Sequence, residues 1–464
     1  MTLRALAGML GFAAILLVFG WILLWAAGIA RSRRDGLRAA GLALFLAWAT
    51  TGLVVTFELV LGLRTTVVEI VAGQAIVALG ALVVSRRIAP MEHPRSRFGR
   101  SWLGTGSAAV LSLYVLGLLG PAIFPQGIAN SESWSQWLVK AKVIYHFGLD
   151  TGVGGYTSQQ NGSYPPLDPG LESATWHFAG KPDFLLLPFM HWIVFASFLG
   201  GVAFLLAPRV RPALLWPPLA LLVLTPNLPT VVGSSLGEEM VAMFVGMAAL
   251  FATMWLLDDE PRWLALGSVF FAAATLTKSE GLVMSLIFTI LVAVAARRLR
   301  ALVLVAAPIV VEIPWKIWQK TNHVPPTFSY DWNRLLHPDQ LWARTDYITY
   351  GARSLLGQTF APSHWLIVLP VVLALGALAV ARRNALAFVA IGFPLLTFLA
   401  FELTYWVGAD VCTWEPGTPC THTWRDIEWL VGLSANRLPI YFVVVAALLL
   451  PLLLRELADR SQAT

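Results

Sequence analysis

Met240-Val-Ala-Met-Phe-Val-Gly-Met-Ala-Ala-Leu-Phe-Ala-Thr-Met-Trp-Leu-Leu257 is an uncharged, almost wholly apolar run, opened by the acidic pair Glu238-Glu239. A helix of this length, rising about 1.5 Å per residue, matches the roughly 30 Å hydrocarbon core of a bilayer. Similar runs recur near 5–30, 39–62, 65–85, 102–123, 184–206, 213–231, 239–257, 263–277, 281–296, 301–318, 364–381, 385–406 and 437–454. Thirteen spans are therefore expected. The composition agrees: 57% of the 464 residues are hydrophobic and 12% are charged. Mean hydropathy is +0.70, far from a soluble globular average. The sequence predicts an all-α polytopic membrane protein.

Charge placement orients the chain. Arginines cluster at Arg31, Arg33, Arg34 and Arg38, then at Arg86, Arg87, Arg95, Arg97 and Arg100. Further sets are Arg209 and Arg211, Arg297, Arg298 and Arg300, Arg382 and Arg383, and Arg455 and Arg460. Thirteen spans put every set on one side, which the positive-inside rule makes cytoplasmic. The expected location is the plasma (inner) membrane, with the N-terminus outside. The first span is too long for a cleaved signal peptide, and its positive flank lies at the wrong end. The net charge of +6 then reflects topology, and no nucleic-acid partner is expected.

The large external segments under this topology are 124–183, 319–363 and 407–436. Cys412 and Cys420, the two cysteines of the chain, both fall in the last of these, where an oxidising compartment favours a loop-stapling disulfide over two unpaired thiols. The eight histidines show no ligand spacing, so no protein-bound metal is expected. Neither a Walker motif nor HExxH occurs, and no internal repeat or soluble domain is visible. The expected division is a three-helix N-terminal membrane extension over 1–100 and a catalytic transmembrane domain over 101–464.

The first external segment carries Asn130-Ser-Glu-Ser-Trp-Ser-Gln-Trp-Leu-Val-Lys-Ala-Lys142. Ser133 followed by Gln136 is a capping-box pattern, which predicts a helix starting at Ser133. Trp134, Trp137, Leu138, Ala141, Ile144 and Tyr145 then share one face at helical spacing, suited to the membrane interface. Glu132 sits just before the helix N-terminus, where the macrodipole stabilises a carboxylate. Such a group at the mouth of a membrane cavity is a candidate general base, although simple helix-start charge matching explains it too. Tyr164-Pro-Pro-Leu-Asp-Pro-Gly-Leu-Glu172 reads as an extended, proline-fixed stretch. Ser235-Leu-Gly-Glu-Glu-Met240 opens a span with acids. Thr277-Lys-Ser-Glu-Gly281 puts Lys278 and Glu280 in a tight turn, and Ser434-Ala-Asn-Arg437 puts an arginine at the edge of the last span. Singly, these are membrane-edge anchors; together, on one face, acid and base favour a site.

In this combination the chain resembles the GT-C superfamily of integral membrane glycosyltransferases, especially the protein mannosyltransferase and aminoarabinose transferase type. The pattern of that family is an acidic residue shortly before a Trp-x-x-Lys-Ala-Lys-like helix, a Tyr-Pro-Pro-Leu-x-Pro-like stretch, an acidic residue opening a later span, and a Thr-Lys-x-Glu-Gly-like turn. Glu132, Trp137–Lys142, Tyr164–Pro169, Glu238 or Glu239, and Thr277–Gly281 match it in order. The likeness covers about residue 100 to the C-terminus. Two departures stand out, both keeping a carboxylate: a lone Glu132 where an aspartate is usual, and Gly-Glu-Glu where an aspartate is usual.

The resemblance implies a GT-C-like bundle and transfer of a sugar from a polyprenyl-phosphate carrier, with inversion, to an acceptor hydroxyl of a glycan, lipid or protein on the external, periplasmic face. It implies catalytic roles for Glu132 and for Glu238 or Glu239, and it leaves a divalent cation open. The leaving phosphate needs cations rather than an acid. Lys278 and Arg437 are the first candidates, followed by Arg353 and Lys140. Trp134, Trp137, Tyr164 and Trp176, with Asp168 and Glu280, are candidate sugar or acceptor contacts. The competing class is a transporter or flippase, against which stand the absence of an inverted repeat and charges gathered on one face rather than at midplane.

Overall fold

The computed structural model describes residues 2–86, 88–91, 101–120, 128, 132–150, 152, 155–159, 162–324, 335–380, 384–407, 428, 431–432 and 434–461. Its principal helices are α1 (Leu3–Ala26), α2 (Ala40–Val60), α3 (Val67–Ser85), α4 (Trp102–Leu113), α5 (Val139–Phe147), α6 (Leu167–Ala179), α7 (Leu186–Leu206) and α8 (Pro212–Val223). They continue as α9 (Glu238–Asp258), α10 (Pro261–Thr277), α11 (Glu280–Ala296), α12 (Val303–Thr321), α13 (Thr345–Phe360), α14 (Val368–Val380), α15 (Ala385–Val407) and α16 (Pro439–Ser461). Among the described residues there is no strand. Among the described residues, eight helices are long and apolar enough to cross a membrane: α1, α2, α3, α7, α9, α12 with the turn before it (Leu299–Thr321), α15 and α16. Shorter apolar helices include α4, α8, α11 and α14. The protein is an all-α, multi-pass membrane protein.

The apolar run Met240–Leu257 forms the central helix, α9. Every residue of α9 from Glu238 to Trp255 is buried, and α10, α16, α11 and α7 pack around it. An aromatic ladder ties α2 to this centre: the ring of Phe45 lies 5.2 Å from Phe270, 5.4 Å from Phe198 and 5.4 Å from Phe244. The outer helices show the opposite pattern. On α3, Ile76, Leu79 and Val83 are more than half exposed at helical spacing, as suits a face against lipid tails. Buried and exposed faces are equally apolar, because a bilayer rewards both.

The two ends of the bundle differ in charge. At one end Arg209 pairs with Asp258, Arg298 with Asp259, and Arg262 with Glu260 at 2.8 Å. At the other end α9 and α11 begin and α10 finishes. There α6 is wedged against α1, α2 and α5, with Gly170 of α6 so close to α2 that a Cβ would lie 2.7 Å from Val55.

Two local features differ from the sequence expectation. Ser133 does not cap a helix: Glu132 stands at the N-cap, the turn Ser133–Leu138 is π-helical, and the Ser133 hydroxyl donates instead to the Ser234 carbonyl. The stretch from Tyr164 is not extended to Glu172, because α6 already begins at Leu167. Pro169 falls in its first turn, where a missing N–H costs nothing.

Candidate functional site

Four segments far apart in the chain meet where α9 begins. Arg437, in the turn before α16, places Nη1 2.7 Å from Glu132 Oε2 and 3.5 Å from Glu238 Oε1. Lys278, at the end of α10, donates to Glu238 Oε1 at 2.8 Å and lies 3.6 Å from Glu280 Oε1. The result is a line of alternating charge: Glu132, Arg437, Glu238, Lys278, Glu280. Its middle is closed and its ends are more open. The side chain of Glu238 is 3% exposed, against 23% for Glu132 and 25% for Glu280. Acids and bases at this depth hold one another in place, since an unpaired buried charge costs several kcal/mol.

Aromatic rings line the lysine side. Trp137 and Tyr164 lie parallel with centroids 5.9 Å apart. Lys278 Nζ stands 5.9 Å from the first ring and 5.4 Å from the second. Lys140 Nζ stands 5.6 and 5.5 Å from the same pair and 5.5 Å from Tyr156. Each contact of this kind contributes about 0.5–2 kcal/mol. Burial, and then the neighbouring Lys278, pushes the Lys140 ammonium down to about 7. Burial works against the charge of Lys278 too, but Glu238 and Glu280 outweigh it and hold the group above the usual lysine range. The two ammonium groups therefore differ in character although they share two rings.

Two glycines make the geometry possible. Gly237 adopts φ +76°, and a Cβ there would lie 2.8 Å from the Trp137 ring. Gly281 lets α11 approach α10 so closely that a Cβ would sit 2.3 Å from the Ala274 carbonyl, which brings Lys278 and Glu280 side by side. Ser235 takes φ +54° without being glycine. Its strained turn is held by its hydroxyl bond to Glu172 and by the Ser133 bond to Ser234.

Of the residues singled out in the sequence, Glu132, Glu238, Lys278, Glu280, Arg437, Lys140, Trp137 and Tyr164 are brought together. Glu239 is not part of this line: it contacts His191 of α7. Asp168 is fully buried on α6 beside the same histidine. Arg353 is exposed on α13, and no ion pair among the described residues joins it to the site. Trp134 is 42% exposed and donates to the Ile128 carbonyl at 2.6 Å. Trp176 is fully buried and donates to the Asp183 carbonyl at 3.1 Å. Cys412 and Cys420 lie outside the described residues.

Sequence reasoning missed Tyr156, Glu172 and His191. His191 was legible as an ionisable group inside an apolar span, which is rare without a use. Glu172 is one helical turn from Asp168, a relation hidden while Pro169 was taken as extended. Among the described residues no group of three or more His, Cys, Asp or Glu side chains is placed to hold a metal ion.

No family model, curated protein or solved structure matches this chain. The site alone carries the functional argument.

Proposed function

We propose that the protein is a membrane glycosyltransferase that moves a sugar from a polyprenyl-phosphate carrier to an acceptor hydroxyl on the external face, with inversion. The supporting observation is the convergence of Glu132, Arg437, Glu238 and Lys278 at one end of the bundle, from positions up to about three hundred residues apart. A GT-C-like bundle is the architecture that fits this reading. In it α1–α4, α7–α12 and α14–α16 serve as the thirteen spans. The end carrying Arg209, Arg262 and Arg298 faces the cytoplasm.

The reaction joins the acceptor oxygen to the anomeric carbon and breaks the bond from that carbon to the carrier phosphate oxygen. The acceptor proton goes to Glu132, the most open carboxylate touching the cations besides Glu280. The charge left on the carrier phosphate is met by Lys278 and Arg437, with Lys140 behind them. In the resting site Arg437 is divided between Glu132 and Glu238. A bound phosphate that draws its guanidinium away releases Glu132 to accept the proton. Glu238 keeps Lys278 charged and fixed. Trp137 and Tyr164 form the wall behind the ammonium groups.

The test is transfer of labelled sugar from polyprenyl-phosphate donors to a membrane extract in proteoliposomes, comparing wild type with Glu132→Gln. Transfer by the wild type and a loss of about 100-fold or more in the variant is expected. Equal rates would place the base elsewhere, and no transfer by folded wild type would remove the reading. A transporter or flippase draws its support from Glu58, His191 and Glu402, which are buried within apolar helices.

A further inference from the structure

Directly behind the proposed site lies a second group of ionisable side chains. His191 Nδ1 contacts Glu239, its Nε2 lies 3.7 Å from Glu172 Oε1, and the Ser235 hydroxyl donates to that same Glu172 oxygen. Asp168 faces His191 and Glu239 from one turn earlier on α6. All four ionisable side chains are at most 2% exposed. Among the described residues, both oxygens of Asp168, the Oε2 atoms of Glu172 and Glu239, and Nε2 of His191 have no hydrogen-bond partner.

Charge arithmetic makes the fully ionised state untenable. Three carboxyls and one imidazole meet here, and even a charged imidazole offsets only one carboxylate. A fully buried carboxylate with neither oxygen bonded and no cation against it costs far more than a neutral acid. Among the described residues the surroundings supply no other cation. Asp168 faces His191 of α7 and Glu238 and Glu239 of α9; Glu172 faces Asp168, Glu239 and Ser235. Of the other helices on α6, α5 directs Lys140 at the rings of Trp137, Tyr156 and Tyr164. Glu69 of α3 and His146 of α5 act on His177, farther along α6, and Glu69 also acts on Glu58 of α2. Arg4 of α1 is exposed, and Arg262 of α10 bonds Glu260 at the far end of the bundle.

We propose that Asp168, Glu172, His191 and Glu239 are a proton-binding cluster whose bound protons hold the start of α9, and with it Glu238, in register for the ion-pair site. The link is the segment 234–239. Ser235 is fixed by Glu172, Gly237 lies against Trp137, Glu238 bonds Lys278 and Glu239 bonds His191. Ionising the cluster sets carboxylates against one another under that segment and loosens it. The four residues act through Glu238, so they are positioning residues.

Burial pushes Asp168 up to about 7, with Glu239 and Glu238 adding to it and His191 opposing, and burial pushes Glu172 well above its ordinary range. An acid raised in the folded state costs nothing below its unfolded value, 3.8 for aspartate. Its cost grows as pH rises toward 7 and is complete above it. Asparagine at 168 mimics the protonated acid and carries no such cost.

The proton-binding claim stands apart from the glycosyltransferase reading; only its consequence for transfer rests on that reading. The experiment is an infrared titration of detergent-purified protein, with melting temperature followed from pH 4 to 9, for wild type and Asp168→Asn. The expected result is a protonated-carboxyl band in wild type at pH 6 that fades through neutral pH and is lost in Asp168→Asn. The melting temperature of the variant, relative to wild type, should rise between pH 4 and 7 and then level off. Transfer by the variant should persist to higher pH than that of wild type. A pH-independent difference in melting temperature, with no band lost, overturns the proposal. If Asp168→Asn does not fold, wild type and Glu239→Gln decide it: no band titrating through neutral pH in wild type, and none altered in Glu239→Gln, overturns it equally. Absence of transfer by wild type sinks the glycosyltransferase reading while the infrared and melting results still judge the cluster.

Discussion

Replacing Glu238 by Gln, Lys278 by Met, and both together measures what holds the proposed site in place. The side chains are 3% and 7% exposed and their polar atoms are 2.8 Å apart. Removing one partner of a buried pair generally costs about 3–5 kcal/mol, because the other charge is stranded. Here each survivor keeps a second partner: Lys278 has Glu280 at 3.6 Å, and Glu238 has Arg437 at 3.5 Å. The single losses therefore belong at the lower end, about 3 kcal/mol each. The double variant strands neither charge of the pair and leaves Arg437 with Glu132. Its cost should fall short of the sum of the singles by about 2 kcal/mol. Unfolding the four proteins in mixed micelles of rising denaturing-detergent content, read by helix signal, gives the cycle. Additivity within about 0.5 kcal/mol would refute the pairing and the buried line of charge built on it.

Gly237→Ala should lower stability by about 2–3 kcal/mol in the same unfolding assay, since it adds a left-handed penalty to a Cβ 2.8 Å from Trp137. Lys140, pushed down to about 7, is neutralised by folding at a pH where the unfolded chain still holds the proton. Its contribution should therefore rise between about pH 7 and the ordinary lysine value, and Lys140→Met should remove that rise when melting is followed against pH. Arg437→Lys keeps the charge but removes the planar guanidinium whose Nη1 lies between Glu132 and Glu238. Transfer should fall about 10- to 100-fold, a loss of about 1.5–3 kcal/mol in charge-assisted bonding, with the donor KM carrying part of it.

The all-α membrane class was legible because a bilayer imposes a single demand, long apolar helices, that the runs from Leu3 to Leu454 meet openly. The ends of the bundle were legible for the same reason: arginine sets and acid-bearing turns alternate along the chain. Contacts between helices were not. Nothing in the local sequence joins Arg437 to Glu132, since their meeting depends on where the turn before α16 comes to lie in the folded chain. Glu238 and Glu239 are neighbours with equal chemistry, and only the rotation of α9 sends the first to Lys278 and the second to His191. The Ser133 pattern misled because a capping box describes a free helix end, whereas here the hydroxyl finds the Ser234 carbonyl across the loop. Pro169 misled because proline is compatible with both an extended chain and a first helical turn.

The central claim is that the line from Glu132 to Lys278 breaks a carrier–sugar bond rather than passing a substrate through. Its most direct test is product analysis after incubating the reconstituted protein with a doubly labelled polyprenyl-phosphate sugar, one label in the sugar and one in the phosphate. The account predicts free polyprenyl phosphate in equal amount to sugar joined to an acceptor, with the anomeric configuration reversed and neither product formed by Glu132→Gln. Donor recovered intact on the opposite leaflet, with both labels still together, would contradict it.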